Sequence, residues 1–270
     1  MNTKRDIPIE LIYQIFSLLI AFIIVHAVYI SVIRPQADNF MQQEHELMLA
    51  DSSYIQKRNF YVVVRDFEQE ACFILMIWAL SIMAFKGYQS WQQNKLLDID
   101  LLKLPIDLPI GPEDTKQLLQ RINELPMRIH HYILPRALKM TVQRFAATQN
   151  VHDAATAMRD VCDSESQRLE TELSIIRYIA WAIPSVGFIG TVRGIGDALS
   201  QANRAMEGDI TGVTESLGVA FNSTFIALVI SILLMFFIHQ LQLLQERLVL
   251  DSESYCDMNL ISRLRSLKIE

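Results

Sequence analysis

Hydrophobic residues gather in four long runs, and polar residues fill the stretches between them. A helix needs about 20 mainly apolar residues to cross a bilayer. The first run, 9–33, ends at Arg34-Pro35, and the second, 67–90, has a short uncharged core with Tyr88 and Trp91 as interfacial anchors. The third and fourth runs cover 173–199 and 213–240. The pattern predicts an all-α membrane protein with four transmembrane helices and helical cytoplasmic extensions.

The polar segments complete the predicted organisation. It comprises the N-terminus with the first span (1–33), a periplasmic loop (34–66), the second span (67–90), a cytoplasmic helical segment (91–172), the third span (173–199), a short periplasmic loop (200–212), the fourth span (213–240) and a cytoplasmic C-terminal helix (241–270). Within the long segment we expect a loop over 104–114 and two amphipathic helices. One begins after Asp114, and Asn150 caps the other.

The orientation follows from the distribution of lysine and arginine. Ten of them lie between Gly87 and Glu172, and Lys4, Arg5, Arg263, Arg265 and Lys268 lie near the termini. The short segment after the third span carries only Arg204. Because cytoplasmic loops are enriched in Lys and Arg, both termini are expected in the cytoplasm. The first run is too long for a signal peptide and lacks a small-residue cleavage site, so we expect it to remain as a span.

Composition excludes several function classes. The formal net charge of −6 argues against nucleic-acid binding. The three cysteines, Cys72, Cys162 and Cys256, lie far apart without metal-ligand spacing, which favours free buried thiols. A nucleophile–base pair, a phosphate loop and a metal motif are absent from the sequence, so neither an enzyme nor a cofactor is expected. Internal repeats, which favour a secondary transporter, are absent too.

The last two spans each carry a departure from a plain apolar helix, small residues in the third and polar residues in the fourth. In the third, Gly187, Gly190, Thr191 and Gly194 recur at i, i+3, i+4 and i+7, a spacing that permits close helix packing. Pro184, in the same span, is expected to bend the helix. In the fourth, Asn222, Ser223 and Thr224 form a polar triplet, which must face a partner or a watered path.

The runs PSVGFIGTVRGIGDAL (184–199) and ESLGVAFNSTFIALVISI (215–232) together resemble the MotA/TolQ/ExbB proton-channel family. The similarity covers 165–244, and the GFIGTVRGI motif carries most of its specificity. The four-span arrangement resembles the MotA branch, whereas the residues of the motif are more similar to those of TolQ and ExbB.

The resemblance implies a ring, a pentamer in this family, around two helices of a single-span partner that carries an essential membrane aspartate. It implies that Thr191 and Thr224 line the ion path, with Ser223 and Asn222 beside them. Gly187, Gly190, Gly194 and Pro184 would pack around the partner. The translocated ion would be H⁺ or Na⁺, and the location would be the bacterial inner membrane.

Two departures from the family pattern bear on the site. Related channels often carry a glutamate about one turn before the last-span threonine, where this chain reads Gly218-Val219-Ala220. Arg193 replaces an apolar or aromatic residue, and Asp197 or Glu215 is its expected partner in a charge cluster at the periplasmic mouth. An acidic residue deep in a span is absent from the sequence, which fits a titrating carboxylate supplied by another chain.

Two alternatives stay open from the sequence. His26 lies in the middle of the first span, where it is either a packing residue or a functional intramembrane group. The chain as a whole could also be a non-conducting membrane scaffold or sensor that signals through its cytoplasmic helices. In that case Thr191 and Thr224 would serve only as contacts between helices.

Overall fold

The computed structural model describes residues 9–50, 59–102 and 109–265, and regular secondary structure in these ranges is helical. The helices are α1 (Ile9–Val28), α2 (Arg34–Ala50), α3 (Phe60–Val63), α4 (Phe67–Asn94), α5 (Thr115–Asn123), α6 (Ile133–Thr148), α7 (Val151–Glu172), α8 (Ser174–Ser200), α9 (Ala202–Met206) and α10 (Thr211–Asn259). Three short turns accompany them, a π-helical one at Tyr29–Ile33 and 3₁₀ turns at Met127–Ile129 and Ile261–Arg263. Lys4, Arg5, Lys268 and residues 104–108 of the predicted loop lie outside the described residues.

Four helical stretches are long and apolar enough to cross a membrane: Glu10–Met48, Phe67–Asn94, Val151–Ser200 and Thr211–Arg263. Three of them contain a predicted run entire, and Glu10–Met48 contains the first run apart from residue 9. The prediction of an all-α chain with four membrane-crossing helices is therefore confirmed. The structure also makes α10 one helix of 49 residues, so the fourth run continues without interruption into the C-terminal helix.

The first helix does not end at Arg34-Pro35, where the sequence places the end of the first span. The chain turns through the π-helical residues Tyr29–Ile33, and the amide of Arg34 donates to the carbonyl oxygen of Tyr29 before α2 continues to Ala50. Proline has no amide hydrogen and its ring collides with the carbonyl four residues earlier. The widened turn before Pro35 relieves that collision, because its hydrogen bonds skip five residues instead of four.

The described residues divide into two compact units, of which the first comprises residues up to 84 together with 175–238. In this unit, α1 is fixed to α4 by the Tyr13 hydroxyl, which donates to the Ser81 carbonyl at 3.1 Å, and by the Trp78 indole, which donates to the Gln14 carbonyl at 2.9 Å. The Cys72 thiol joins α4 to α8 through the Ile183 carbonyl at 3.7 Å. These three polar groups of the packed helices thus find partners inside the unit.

The second unit comprises 85–174 and 239–270 and has its own apolar core. Leu138, Val142, Phe145 and Met158 are among its most deeply buried side chains. Asn150 caps α7 as predicted, since its side chain accepts a hydrogen bond from the amide of His152. The prediction of two amphipathic helices was wrong, however, because α6 lies between α5 and α7.

Helix α6 was not predicted because two prolines interrupt the helical pattern of the sequence around its start. Pro126 ends the region of α5, and Pro135 lies inside the first turn of α6, where its missing amide hydrogen costs nothing. Glu165 of α7 then fixes α6, because its 2% exposed carboxylate accepts hydrogen bonds from Arg136 at 2.7 Å and from Arg168. Without these arginines the buried negative charge of Glu165 would be uncompensated, which is strongly destabilising.

Candidate ion pathway

A seam of small residues joins α8 to α10. Gly187, Gly190 and Gly194 are buried on one face of α8. A Cβ atom at Gly194 would lie 2.7 Å from the Ser216 carbonyl oxygen and 2.8 Å from the Ala220 amide nitrogen, both of them backbone atoms. A Cβ at Gly187 would meet Ala227 and would lie 3.3 Å from the Cα of Thr224. Only glycine permits this separation, and it brings the two backbones within reach of each other's polar groups.

The seam holds a cluster of oxygen atoms. The hydroxyls of Thr191 and Thr224 are hydrogen-bonded to each other across the two helices. Thr191 is also within hydrogen-bond distance of the Ala220 carbonyl at 3.1 Å, and Thr224 of the Gly187 carbonyl at 3.1 Å. The two predicted threonines are therefore brought together, and four oxygen atoms from α8 and α10 converge at one level of the seam.

Pro184 leaves one carbonyl of α8 without its usual hydrogen bond inside the helix. As a proline inside α8 it cannot donate to the carbonyl of Ala180, four residues earlier. The hydroxyl of Ser231 on α10 donates to that carbonyl at 3.1 Å. The carbonyl that Pro184 leaves without a helical donor is thus satisfied by α10 of the same chain, and the predicted contact of Pro184 with a partner stays a prediction.

The polar triplet of α10 does not act as one unit. Ser223 is buried, donates to the Val219 carbonyl at 2.8 Å and lies 3.3 Å from the amide nitrogen of Gln69. Asn222 is half-buried and makes no hydrogen bond among the residues the structure describes. Asn222 lies two positions before Thr224, about 200° around the helix, so it points away from the contact between Thr191 and Thr224.

Helix α4 contributes two residues that the sequence reasoning did not place at the site. Gln69 is fully buried; its amide nitrogen reaches Ser223, and its carbonyl oxygen has no partner in the described part of the chain. The Cγ atom of Glu68 lies 3.1 Å from the position of a Cβ at Gly190. The signal was available in the run Glu68-Gln69-Glu70, three polar residues in the first turn of an apolar helix.

The charge cluster exists, but its pairing differs from the prediction. Arg193 binds Glu68, with Nε and Nη2 at 2.7 and 2.8 Å from the two carboxylate oxygens. Glu215 lies 4.0 Å from Arg65 instead. Asp197 is exposed and contributes only a longer-range attraction to Arg193. An arginine four residues before an acid is the weaker helical order, and a carboxylate from α4 can meet the guanidinium with both oxygens.

Asp66, immediately before α4, adds a second acid to this end of the unit. Burial raises the pKa of its carboxyl, and the nearby guanidinium groups of Arg65 and Arg193 oppose that rise. The described residues contain no group of three or more His, Cys, Asp or Glu side chains that could hold a metal ion. The chemistry available at the site is therefore that of hydroxyls, backbone carbonyls and paired charges.

Residues 128–254 match the family model of the MotA/TolQ/ExbB proton channel family. This segment is similar to that family over 127 of the chain's 270 residues. It includes α6, α7 and α8 entire and most of α10, and so it holds both threonines of the seam. The proteins of the MotA/TolQ/ExbB family are of channel and motor type and typically work in complexes with single-span partners. With its four apolar helices, the chain is a multi-pass membrane protein.

The match leaves the first two spans outside the MotA/TolQ/ExbB segment. The residues that α4 supplies to the site, Glu68 and Gln69, therefore come from a part of the chain that the family model does not cover. No curated protein and no solved structure matched the chain.

Proposed function

We propose that this chain is the ring subunit of an inner-membrane motor channel, in which ion flow drives mechanical work on a single-span partner that reaches the periplasm. The observation that carries the proposal is the hydroxyl pair of Thr191 and Thr224, set between two apolar helices of a MotA/TolQ/ExbB segment. Polar groups inside membrane-spanning helices are costly in lipid and often mark ion and substrate pathways.

The oxygen cluster suits cation passage better than cation storage. Hydroxyl and carbonyl oxygens can replace water around a hydronium or sodium ion. These oxygens do not themselves bind an extra proton at neutral pH. Glu68, the carboxylate that α4 brings to Gly190, is occupied by Arg193. The titrating carboxylate is therefore expected on another chain, an aspartate of the single-span partner.

The ring is inferred from the similarity of 128–254 to the MotA/TolQ/ExbB family. In this arrangement several copies around the partner helices enclose the path. We expect five copies and two partner chains, with both termini in the cytoplasm. Gly187, Gly190 and Gly194 face α10 within the chain, so in this arrangement they set the wall of the path, while the partner helices meet its surface.

A second candidate function has its own observation. One threonine hydroxyl can donate to the other, which donates to a backbone carbonyl, so both hydroxyl hydrogens are used without water. Hydroxyl contacts between membrane helices also serve as simple packing contacts. A non-conducting scaffold or sensor that signals through its cytoplasmic helices would use the seam in that way.

Native mass spectrometry separates the two functions at the level of assembly. The chain is co-expressed with a candidate single-span partner and purified in detergent. The motor channel predicts a five-fold ring that retains about two partner chains. A monomer or dimer without a single-span partner would contradict the proposal and favour the scaffold.

A further inference from the structure

A charged cluster joins the first helix to α4 outside the MotA/TolQ/ExbB segment. The Glu70 carboxylate is 7% exposed and lies between two cationic or protonatable groups of the first helix. His26 Nδ1 is 2.5 Å from one of its oxygens, and Arg34 Nη2 is 2.5 Å from the other. Both oxygens of a buried carboxylate are thus engaged by one helix.

The π-helical turn makes this double contact possible. His26 and Arg34 are eight residues apart, which in an α-helix separates their directions by about 80°. The turn at Tyr29–Ile33 lies between them and widens the helix by about one residue. The eight-residue interval then behaves as seven, and the two side chains point to within about 20° of each other. π-Turns inside α-helices occur often at functional sites.

The charges of Glu70 and Arg34 balance each other without His26. Arg34 already balances the carboxylate, and its guanidinium also lies 4.6 Å from the centre of the Phe67 ring. A carboxylate only accepts hydrogen bonds, so the imidazole must carry its hydrogen on Nδ1. In the described part of the chain the other nitrogen, Nε2, has no hydrogen-bond partner, and the His26 side chain is 41% exposed.

We propose that His26 is a proton-binding site of the first two spans, distinct from the threonine seam. Nδ1–H donates to Glu70 throughout, and the incoming proton forms a bond with the lone pair of Nε2. The cluster then changes from neutral to a net charge of +1, and the neutral hydrogen bond becomes an ion pair. This is the arrangement in which a carboxylate fixes the tautomer and supports an imidazolium.

Other groups near the cluster define its surroundings. Those that face it or share its helix turn are Tyr29 on the first helix, Asp66, Glu68 and Cys72 on or beside α4, and Arg193 on α8 through Glu68. None of these is a histidine, the residue type whose unperturbed pKa places its charge change between pH 5 and pH 8. Glu70 and Glu68 lie two residues apart, so they point to opposite sides of α4, one toward His26 and one toward Arg193.

Nitrogen-15 NMR of the histidine side chains tests the proposal on the full-length chain in lipid nanodiscs. The six histidines are labelled, and the His26→Gln spectrum is subtracted to isolate the His26 ring. We expect the Nδ1–H tautomer at pH 9 and a reversible conversion to imidazolium as the pH falls to 5. A ring that is Nε2–H at pH 9, or that keeps one charge state throughout, would overturn the proposal.

A matched pair of variants tests whether Glu70 is the group that holds the hydrogen of His26 on Nδ1. Glu70→Gln removes the acceptor charge, and we expect the neutral ring then to populate both tautomers. Glu68→Gln removes an acid from the same helix turn but faces Arg193, so the His26 signals should not move. The wild-type titration decides the question even where Glu70→Gln fails to fold. None of these spectra needs a partner chain or ion flux, so their outcome is independent of the channel proposal.

Discussion

The guanidinium of Arg193 donates two hydrogen bonds to the carboxylate of Glu68, at 2.7 and 2.8 Å. The pair ties α8, in the MotA/TolQ/ExbB segment, to α4, which lies outside it. Glu68 is 11% exposed on its side chain and Arg193 is 41% exposed, so the contact is partly sheltered. The wall of the proposed path therefore rests on a helix that the family segment does not supply.

Replacing Glu68 with Gln should destabilise the first unit, because Arg193 loses a two-pronged charged partner. We expect a cost of about 1–2 kcal/mol, the usual range for a charge-assisted contact that is partly exposed. Thermal unfolding in detergent measures it. Asp197→Asn is the control and should leave the unfolding temperature unchanged. Equal losses in both variants would show that Arg193 depends on Asp197 as much as on Glu68.

Replacing Gly194 with Ala should disrupt the seam, because the new methyl group would meet the backbone of α10 within 2.8 Å. Overpacking of this kind costs about 1–3 kcal/mol. Gly196 lies two residues further along the same helix, and a methyl group there would have nothing within 4 Å. Gly196→Ala should therefore be neutral. Thermal unfolding of the two variants side by side gives the comparison, and a tolerated Gly194→Ala would contradict the close approach of α8 and α10.

The four spans and the threonine pair could be predicted because their signals are local. Apolar run length sets the spans, and a motif around Thr191 and Thr224 identifies the seam. The partners of Arg193 and His26 could not be predicted, because Glu68 and Glu70 are distant in sequence and their contacts depend on packing. The continuation of the first helix past Pro35 was missed for a related reason, since a π-turn leaves no periodic signal of its own.

The thiol of Cys162 should resist alkylation in the folded protein. It is buried in the core of the second unit, and burial raises the pKa of the thiol to about 11. At pH 8 about one molecule in a thousand would carry the reactive thiolate. Maleimide labelling of the native and denatured chain, read by mass spectrometry, checks this. Because the folded pKa is raised, the native labelling rate should increase about tenfold for each unit of pH up to about 10. Rapid labelling at neutral pH would contradict the buried position.

Replacing Glu165 with Ala should loosen α6 from α7, because Arg136 and Arg168 would lose their shared acceptor. Both arginines are more than a third exposed and can turn to water, so we expect a moderate cost of about 1–3 kcal/mol. Limited proteolysis measures this loosening, and we expect the Glu165→Ala variant to be cleaved faster between α6 and α7 than the wild type. Glu170→Ala, on the same helix but outside this contact, is the comparison variant.

Ion flux into proteoliposomes tests the central claim most directly. The chain is reconstituted with its single-span partner, and proton or sodium uptake is followed with a fluorescent dye. Thr191→Val and Thr224→Val remove the seam hydroxyls at nearly constant shape, whereas Ser231→Ala removes a seam hydroxyl that only satisfies the carbonyl left by Pro184. We predict that both threonine variants assemble and lose at least about tenfold in flux, the effect of about 1.4 kcal/mol on a barrier, while Ser231→Ala conducts. Unchanged flux in assembled threonine variants, or no flux in the wild type, would contradict the account.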